Sequence, residues 1–246
     1  GPGMTPDYLR TTTCGYPCIG VDWPRVDQQG RPLPGSQLNL DRQVEVLAQL
    51  HEEISLDLGK KIRFIMLGHS AAGQKVVEYA AHYPEITRGV VLIDAITAPT
   101  SLPYSMSKLL IRLLLYRVKH HHSTFEDAFH AEFTRSVGNY YFVGADPKLR
   151  TMFDEAFVHP FWPTLVSSGL AGTDVSLALR AIAERHVPIL LIHGQEDRIV
   201  SHKTVMNQIA LLKGGTVEHV EIEGSGHFPM LEQPSTTKRA LDAYIE

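Results

Sequence analysis

Along this chain, short apolar runs alternate with stretches in which apolar residues return every three or four positions. That alternation predicts strands and helices in turn. Ile62–Leu67 reads as a buried strand, and Gly89–Ile93, Ile189–His193 and Thr216–Ile222 read as further strands. A further strand is expected at Cys18–Asp22, introduced by Gly15 and Pro17, with Asp22 as a turn residue at its end. Leu40, Val44, Leu47, Ile54 and Leu58 mark one face of a helix over Leu40–Leu58 that Gly59 stops. The same spacing predicts helices over Ala71–His82, before Pro84, over His202–Leu212 and over Ser235–Ile245. Pro24, Gly30, Pro32 and Pro34 forbid regular structure from Trp23 to Gly35.

Between Ala98 and His186 the rhythm changes. Strand patterns vanish, and helices are predicted near Ser105–His120, Phe125–Ser136, Pro147–Phe157 and Asp174–Glu184. The chain as a whole therefore reads as an α/β fold: a mostly parallel sheet flanked by helices, formed by residues 4–97 and 187–246. Residues 98–186 are an all-helical cap inserted in that core. Ser105–His120 is apolar on most of its circumference. This suits a cap helix buried among its neighbours, a lid whose Leu110 and Leu114 line an apolar acyl pocket, or a patch that meets lipid or a second subunit.

Composition narrows the function classes. The 246 residues suffice for one α/β domain with a continuous core. Basic residues number 23 against 27 acidic ones and form no long run, which excludes a nucleic-acid surface as the organising feature. No apolar stretch approaches the roughly 18–20 residues of a membrane span, and the first residues lack a signal-peptide pattern. A cytoplasmic location is the expectation. Cys14 and Cys18 are too close together and too few for a disulfide framework, and no second Cys or His pair lies at metal-ligand spacing, so both read as ordinary thiols. His120, His121 and His122 diverge by about 100° per residue on a helix and cannot share one ion. They read as a solvated helix end, and no metal is expected.

The chemistry concentrates in three loops. Leu67-Gly68-His69-Ser70-Ala71-Ala72-Gly73 joins a predicted strand to a predicted helix, with small residues on both sides of a serine. A serine hydroxyl needs a base and a backbone that presents its oxygen, and a strained strand-to-helix turn does the presenting. The helix that follows aims N–H groups at a developing oxyanion. His193-Gly194-Gln195-Glu196-Asp197 and Gly224-Ser225-Gly226-His227-Phe228 each follow a strand as well.

Taken together, these segments resemble the α/β-hydrolase family. The first is similar to its nucleophile elbow, Gly-x-Ser-x-Gly, with Ala72 where a second glycine is usual. The other two resemble the loops carrying its acid and its histidine. The resemblance implies Ser70 as nucleophile, His227 as general base and Asp197 as the orienting acid, with the N–H of Ala71 in the oxyanion hole. Asp94, which ends the Gly89–Ile93 strand, is the alternative acid, because some members place it there. Glu196 lies one residue before the position the pattern assigns to the acid. His69 and Phe228 are expected to pack near or contact the substrate pocket, and the glycines around His227 to leave its loop free.

The family ordinarily has further strands, and a second oxyanion donor, before the first strand expected here. Gly1-Pro2-Gly3 reads as the remnant of a cut tag before Met4. Alternatively, with Thr5-Pro6-Asp7-Tyr8-Leu9, it resembles the oxyanion loop of prolyl-iminopeptidase-like members, in which case Gly3 or Met4 supplies the second N–H. Either way an exposed sheet edge is expected, which raises the hypothesis of a homodimer covering it; a monomer at micromolar concentration contradicts it. The resemblance implies a serine hydrolase of carboxylic esters or a related acyl bond, acting on an apolar small molecule and needing no cofactor. Aminopeptidase, lactonase and carbon–carbon hydrolase activities use the same residues. The competing reading is a small-molecule-binding, receptor-like protein on the same scaffold.

Overall fold

Strands β1 (Phe64–His69), β2 (Thr87–Ile93), β3 (Ile189–Gly194) and β4 (Val217–Ile222) lie in that order, each parallel to its neighbour. This computed structural model describes residues 6–22, 39–97, 141–144, 149, 151 and 173–246. Parallel neighbours need crossover connections, and α2 (Leu40–Asp57), α3 (Ala72–His82), α4 (Ser176–Glu184), α5 (His202–Leu211) and α7 (Pro234–Ile245) flank the sheet. Two further helices have four residues each: α1 (Arg10–Thr13), which follows a 3₁₀ turn at Pro6–Leu9, and α6 (Pro229–Glu232).

The continuous apolar runs follow from burial on both faces of the sheet. Successive residues of a strand point to opposite sides. Val90, Leu92, Ile189 and Leu191 therefore join one core with Val76 and Val77 of α3 and Leu179 and Ile182 of α4. Val91, Ile93, Leu190 and Ile192 join a second core with Phe228, Met230 and Leu241. These strand residues are at most 2% exposed, and burying each side chain contributes about 1.5–3 kcal/mol. Local signals set the ends. The Asn39 side chain accepts from Arg42 N–H to cap α2, Gly59 at φ 62° follows its end, and Ser201 caps α5 through Thr204 N–H.

Two expectations change. Cys18–Asp22 forms no strand. Its Ile19 is 54% exposed, so the run has no apolar face to bury against the sheet, and the chain before it coils into the 3₁₀ turn and α1 instead. The helix expected at Asp174–Glu184, placed with the cap, packs through α4 onto α3 and the sheet, and Val175 N–H donates to Thr97 O at 3.0 Å. The predicted helices near 105–120 and 125–136, the turn segment 23–35, and Leu110 and Leu114 lie outside the described residues, as does most of 147–157. Cys14 and Cys18 are free, exposed thiols. Among the described residues, no helix is long and apolar enough to cross a membrane.

Candidate active site

All four strands deliver their carboxyl ends to one rim, the side on which open α/β sheets bind ligands. Ser70 follows β1, Asp94 follows β2, Asp197 lies three residues past β3 and His227 five residues past β4. Ser70 has φ 54°, a left-handed conformation that a non-glycine residue holds only when its surroundings over-determine it. Ser70 N–H donates to Ile93 O (3.0 Å), and Ile96 N–H to Ser70 O (2.9 Å), fastening the elbow to the end of β2. Small neighbours are obligatory. A Cβ on Gly68 would sit 2.8 Å from Ala72 O, and one on Gly73 would sit 2.5 Å from the Ala95 side chain. Ala72 itself starts α3, and the tight approach to the loop after β2 falls at Gly73.

The three predicted side chains meet. His227 Nε2 lies 2.9 Å from Ser70 Oγ, and His227 Nδ1 lies 2.8 Å from Asp197 Oδ2. With Nδ1 donating to the carboxylate, Nε2 is left to accept the serine proton. Asp197 Oδ1 also accepts from Ile199 N–H (2.6 Å) and Val200 N–H (3.1 Å). Burial alone would push the Asp197 carboxyl up. His227 and the two N–H groups outweigh it and hold the carboxyl below the usual carboxylate range. Asp94 does not touch His227 in this way: its Oδ1 accepts from His193 Nδ1 at 2.7 Å and from Gly194 N–H at 3.0 Å. Asp94, His193 and Asp197 bring ligand-type atoms within 4.8 Å of one another, but His193 Nδ1 is spent on a hydrogen bond and Asp197 Oδ2 on His227. That engagement does not suit a metal ligand set.

His69 and Phe228 are 2% and 1% exposed. Both rings pack against His227 inside the core. Tyr8 O–H donates to His69 Nδ1 (2.9 Å), and His69 Nε2 donates to His227 O (2.7 Å). Burial, reinforced by His227, holds the His69 imidazole well below its ordinary range, so it serves as a neutral strut. Tyr8 was not singled out from sequence, although it sits in the Asp7-Tyr8-Leu9 stretch. Glu232 was also missed; its signal is an acid just past the apolar Pro229-Met230-Leu231. Glu232 Oε2 accepts from Gly226 N–H (2.7 Å) and Oε1 from Val143 N–H (2.6 Å), while His227 N–H donates to Tyr141 O (2.7 Å). Residues 141–143 thus strap the histidine loop.

The glycines of these loops serve close approach more than freedom. A Cβ on Gly194 would collide with Gly226 O and lie 2.8 Å from Ser225 O, and one on Gly226 would lie 2.5 Å from Tyr141 O. Only Gly224, at φ 66°, also needs the left-handed region. Gly194→Ala is therefore expected to force the acid and histidine loops apart and cost about 1–3 kcal/mol of stability. Urea denaturation checks this, and an unchanged midpoint contradicts it. Ala71 immediately precedes α3; Gly3 and Met4 lie outside the described residues.

A family model described as the alpha/beta hydrolase family matches residues 4–240. Among curated proteins, the chain is 24% identical to a proline iminopeptidase of Chitinophaga pinensis over 119 residues, 46% of this chain and 39% of that protein. It is 36% identical to a pimeloyl-[acyl-carrier protein] methyl ester esterase of Xylella fastidiosa over 76 residues, 31% of this chain and 29% of that protein. The matched stretches thus span well under half the length of these relatives. Among solved structures, an esterase from Exiguobacterium antarcticum superposes with TM-score 0.74 at 17% identity, covering 100% of this chain and 89% of that one. An enol-lactonase from Burkholderia xenovorans LB400 gives 0.73 at 16%, covering 100% and 88%. At these identities the structural likeness speaks for the fold.

Proposed function

Because this chain belongs to the alpha/beta hydrolase family, we propose that it is a serine hydrolase of carboxylic esters or related acyl bonds, with Ser70, His227 and Asp197 as its triad. The observation that carries this reading is the continuous relay from Ser70 Oγ through both ring nitrogens of His227 to Asp197 Oδ2. As Ser70 Oγ bonds to the substrate carbonyl carbon, its proton passes to His227 Nε2, and Asp197 stabilises the imidazolium so formed. The oxygen of the tetrahedral intermediate is taken by the Ala71 N–H at the head of α3. When the carbon–oxygen bond to the leaving group breaks, the imidazolium returns the proton to that group. Water, activated by the same nitrogen, then releases the acyl group from Ser70.

Esterase and lactonase structural neighbours and the methyl ester esterase relative fit oxygen esters of small molecules. The proline iminopeptidase relatives favour a second substrate class, peptides with N-terminal proline. Turnover of p-nitrophenyl acetate and butyrate beside proline p-nitroanilide separates the two. Ester hydrolysis above background is the expected result, and no turnover of any of the three points to the binding-protein reading.

A further inference from the structure

Asp94 is a buried carboxyl at this rim that acyl transfer leaves without a task. It is 1% exposed. Its Oδ1 takes two N–H donors, from His193 and Gly194, while Oδ2 is buried with no hydrogen-bond donor facing it. Another carboxyl, Asp197, brings an oxygen within 4.8 Å of one of Asp94's. Two carboxylates at such range, away from water, do not both ionise. The backbone adds an independent sign. Asp94 holds φ 42°, and it and Ser70 are two of the three described non-glycine residues with positive φ; both sit at the ends of adjacent strands. Strain of this kind persists where a side chain must be aimed.

We propose that Asp94 is a protonated carboxylic acid whose Oδ2 donates a hydrogen bond to Asp197, a positioning residue that holds the orienting carboxylate on His227. The proposal rests on the triad reading above. The donor inventory decides which carboxyl carries the proton. Asp197 receives His227, Ile199 and Val200, whereas Asp94 receives donors on one oxygen alone. Burial and then the charge of Asp197 push the Asp94 carboxyl well above its ordinary range, and Glu232 adds in the same direction. His193, the remaining titratable group against it, is held below its ordinary range by burial and so donates as a neutral ring. With the proton on Oδ2, the orphaned oxygen becomes a donor and the like-charge contact disappears.

The test combines infrared and kinetic measurements on the full chain. A carbonyl stretch of a buried protonated carboxylic acid is expected at pH 7 in the wild type and in Ser70→Ala, and it should be lost in Asp94→Asn. This readout needs no turnover, so it decides the proton's place even in a chain that hydrolyses nothing; the band without activity sinks only the hydrolase reading. In the active enzyme, Asp94→Ala lowers kcat about 10- to 100-fold with KM little moved. Asp94→Asn, whose amide N–H can donate in the same place, regains most of that loss, and the midpoint of the acid limb of its kcat/KM profile stays where the wild type has it. Absence of the band overturns the proposal. So does a fall of that midpoint by about one unit in Asp94→Asn, because an ionised neighbour would then have been removed. A loss in Asp94→Asn as deep as that of Asp197→Asn overturns it too, since Asp94 would be the orienting acid itself.

Discussion

Ser70→Ala is expected to lower kcat for a short p-nitrophenyl ester by about 10⁶-fold, to the level the remaining site supports without a nucleophile. The reason is local. Ser70 Oγ is the hydroxyl His227 Nε2 reaches, at 2.9 Å, and the strained φ of 54° aims it there. Alanine keeps the small side chain the elbow tolerates and the same backbone conformation, so the thermal unfolding midpoint should stay close to that of the wild type. His227→Ala should cost about as much, and the double variant no more than either alone, because a nucleophile without its base and a base without its nucleophile fail at the same step. Steady-state kinetics on the three variants check this. A Ser70→Ala protein retaining a tenth of wild-type kcat would contradict it.

Asp197→Asn is expected to lower kcat by about 10⁴-fold with the fold intact, as removal of the orienting carboxylate does in triads generally. An amide at this position can offer its N–H to His227, reversing the tautomer so that Nε2 carries a proton and cannot accept one from Ser70. The same carboxyl carries a stability signature. Because its folded pKa is held below the usual carboxylate value, the stability it contributes is present above that usual value and is lost as pH falls through the lowered one. Asp197→Asn should therefore be less stable than the wild type at neutral pH, and the gap should narrow in acid. Kinetics and urea midpoints measured at both pH values check the pair of effects.

Much of the layout was legible because buried parallel strands leave a strong mark. Val90–Ile93 and Ile189–Ile192 are apolar on both faces, and the loops after β1, β3 and β4 carry the residues that meet at the rim. The run Cys18–Asp22 misled because a few β-branched residues between turn formers look like a strand until a strand beside them is sought, and among the described residues no strand pairs with this run. What stayed hidden is set by tertiary distance. Tyr8 reaches His69 across 61 positions of sequence. Gly194 and Gly226 are required by each other's backbone. Asp94 and Asp197 both follow strands, and only the 2.8 Å contact to His227 Nδ1 separates their roles.

The most direct measurement of the central claim is covalent labelling by a fluorophosphonate followed by mass spectrometry of the digested protein. The expected result is a single adduct on the peptide containing residue 70, absent from Ser70→Ala and sharply slowed in His227→Ala. An unlabelled wild-type chain, or an adduct carried by another residue, would contradict the account.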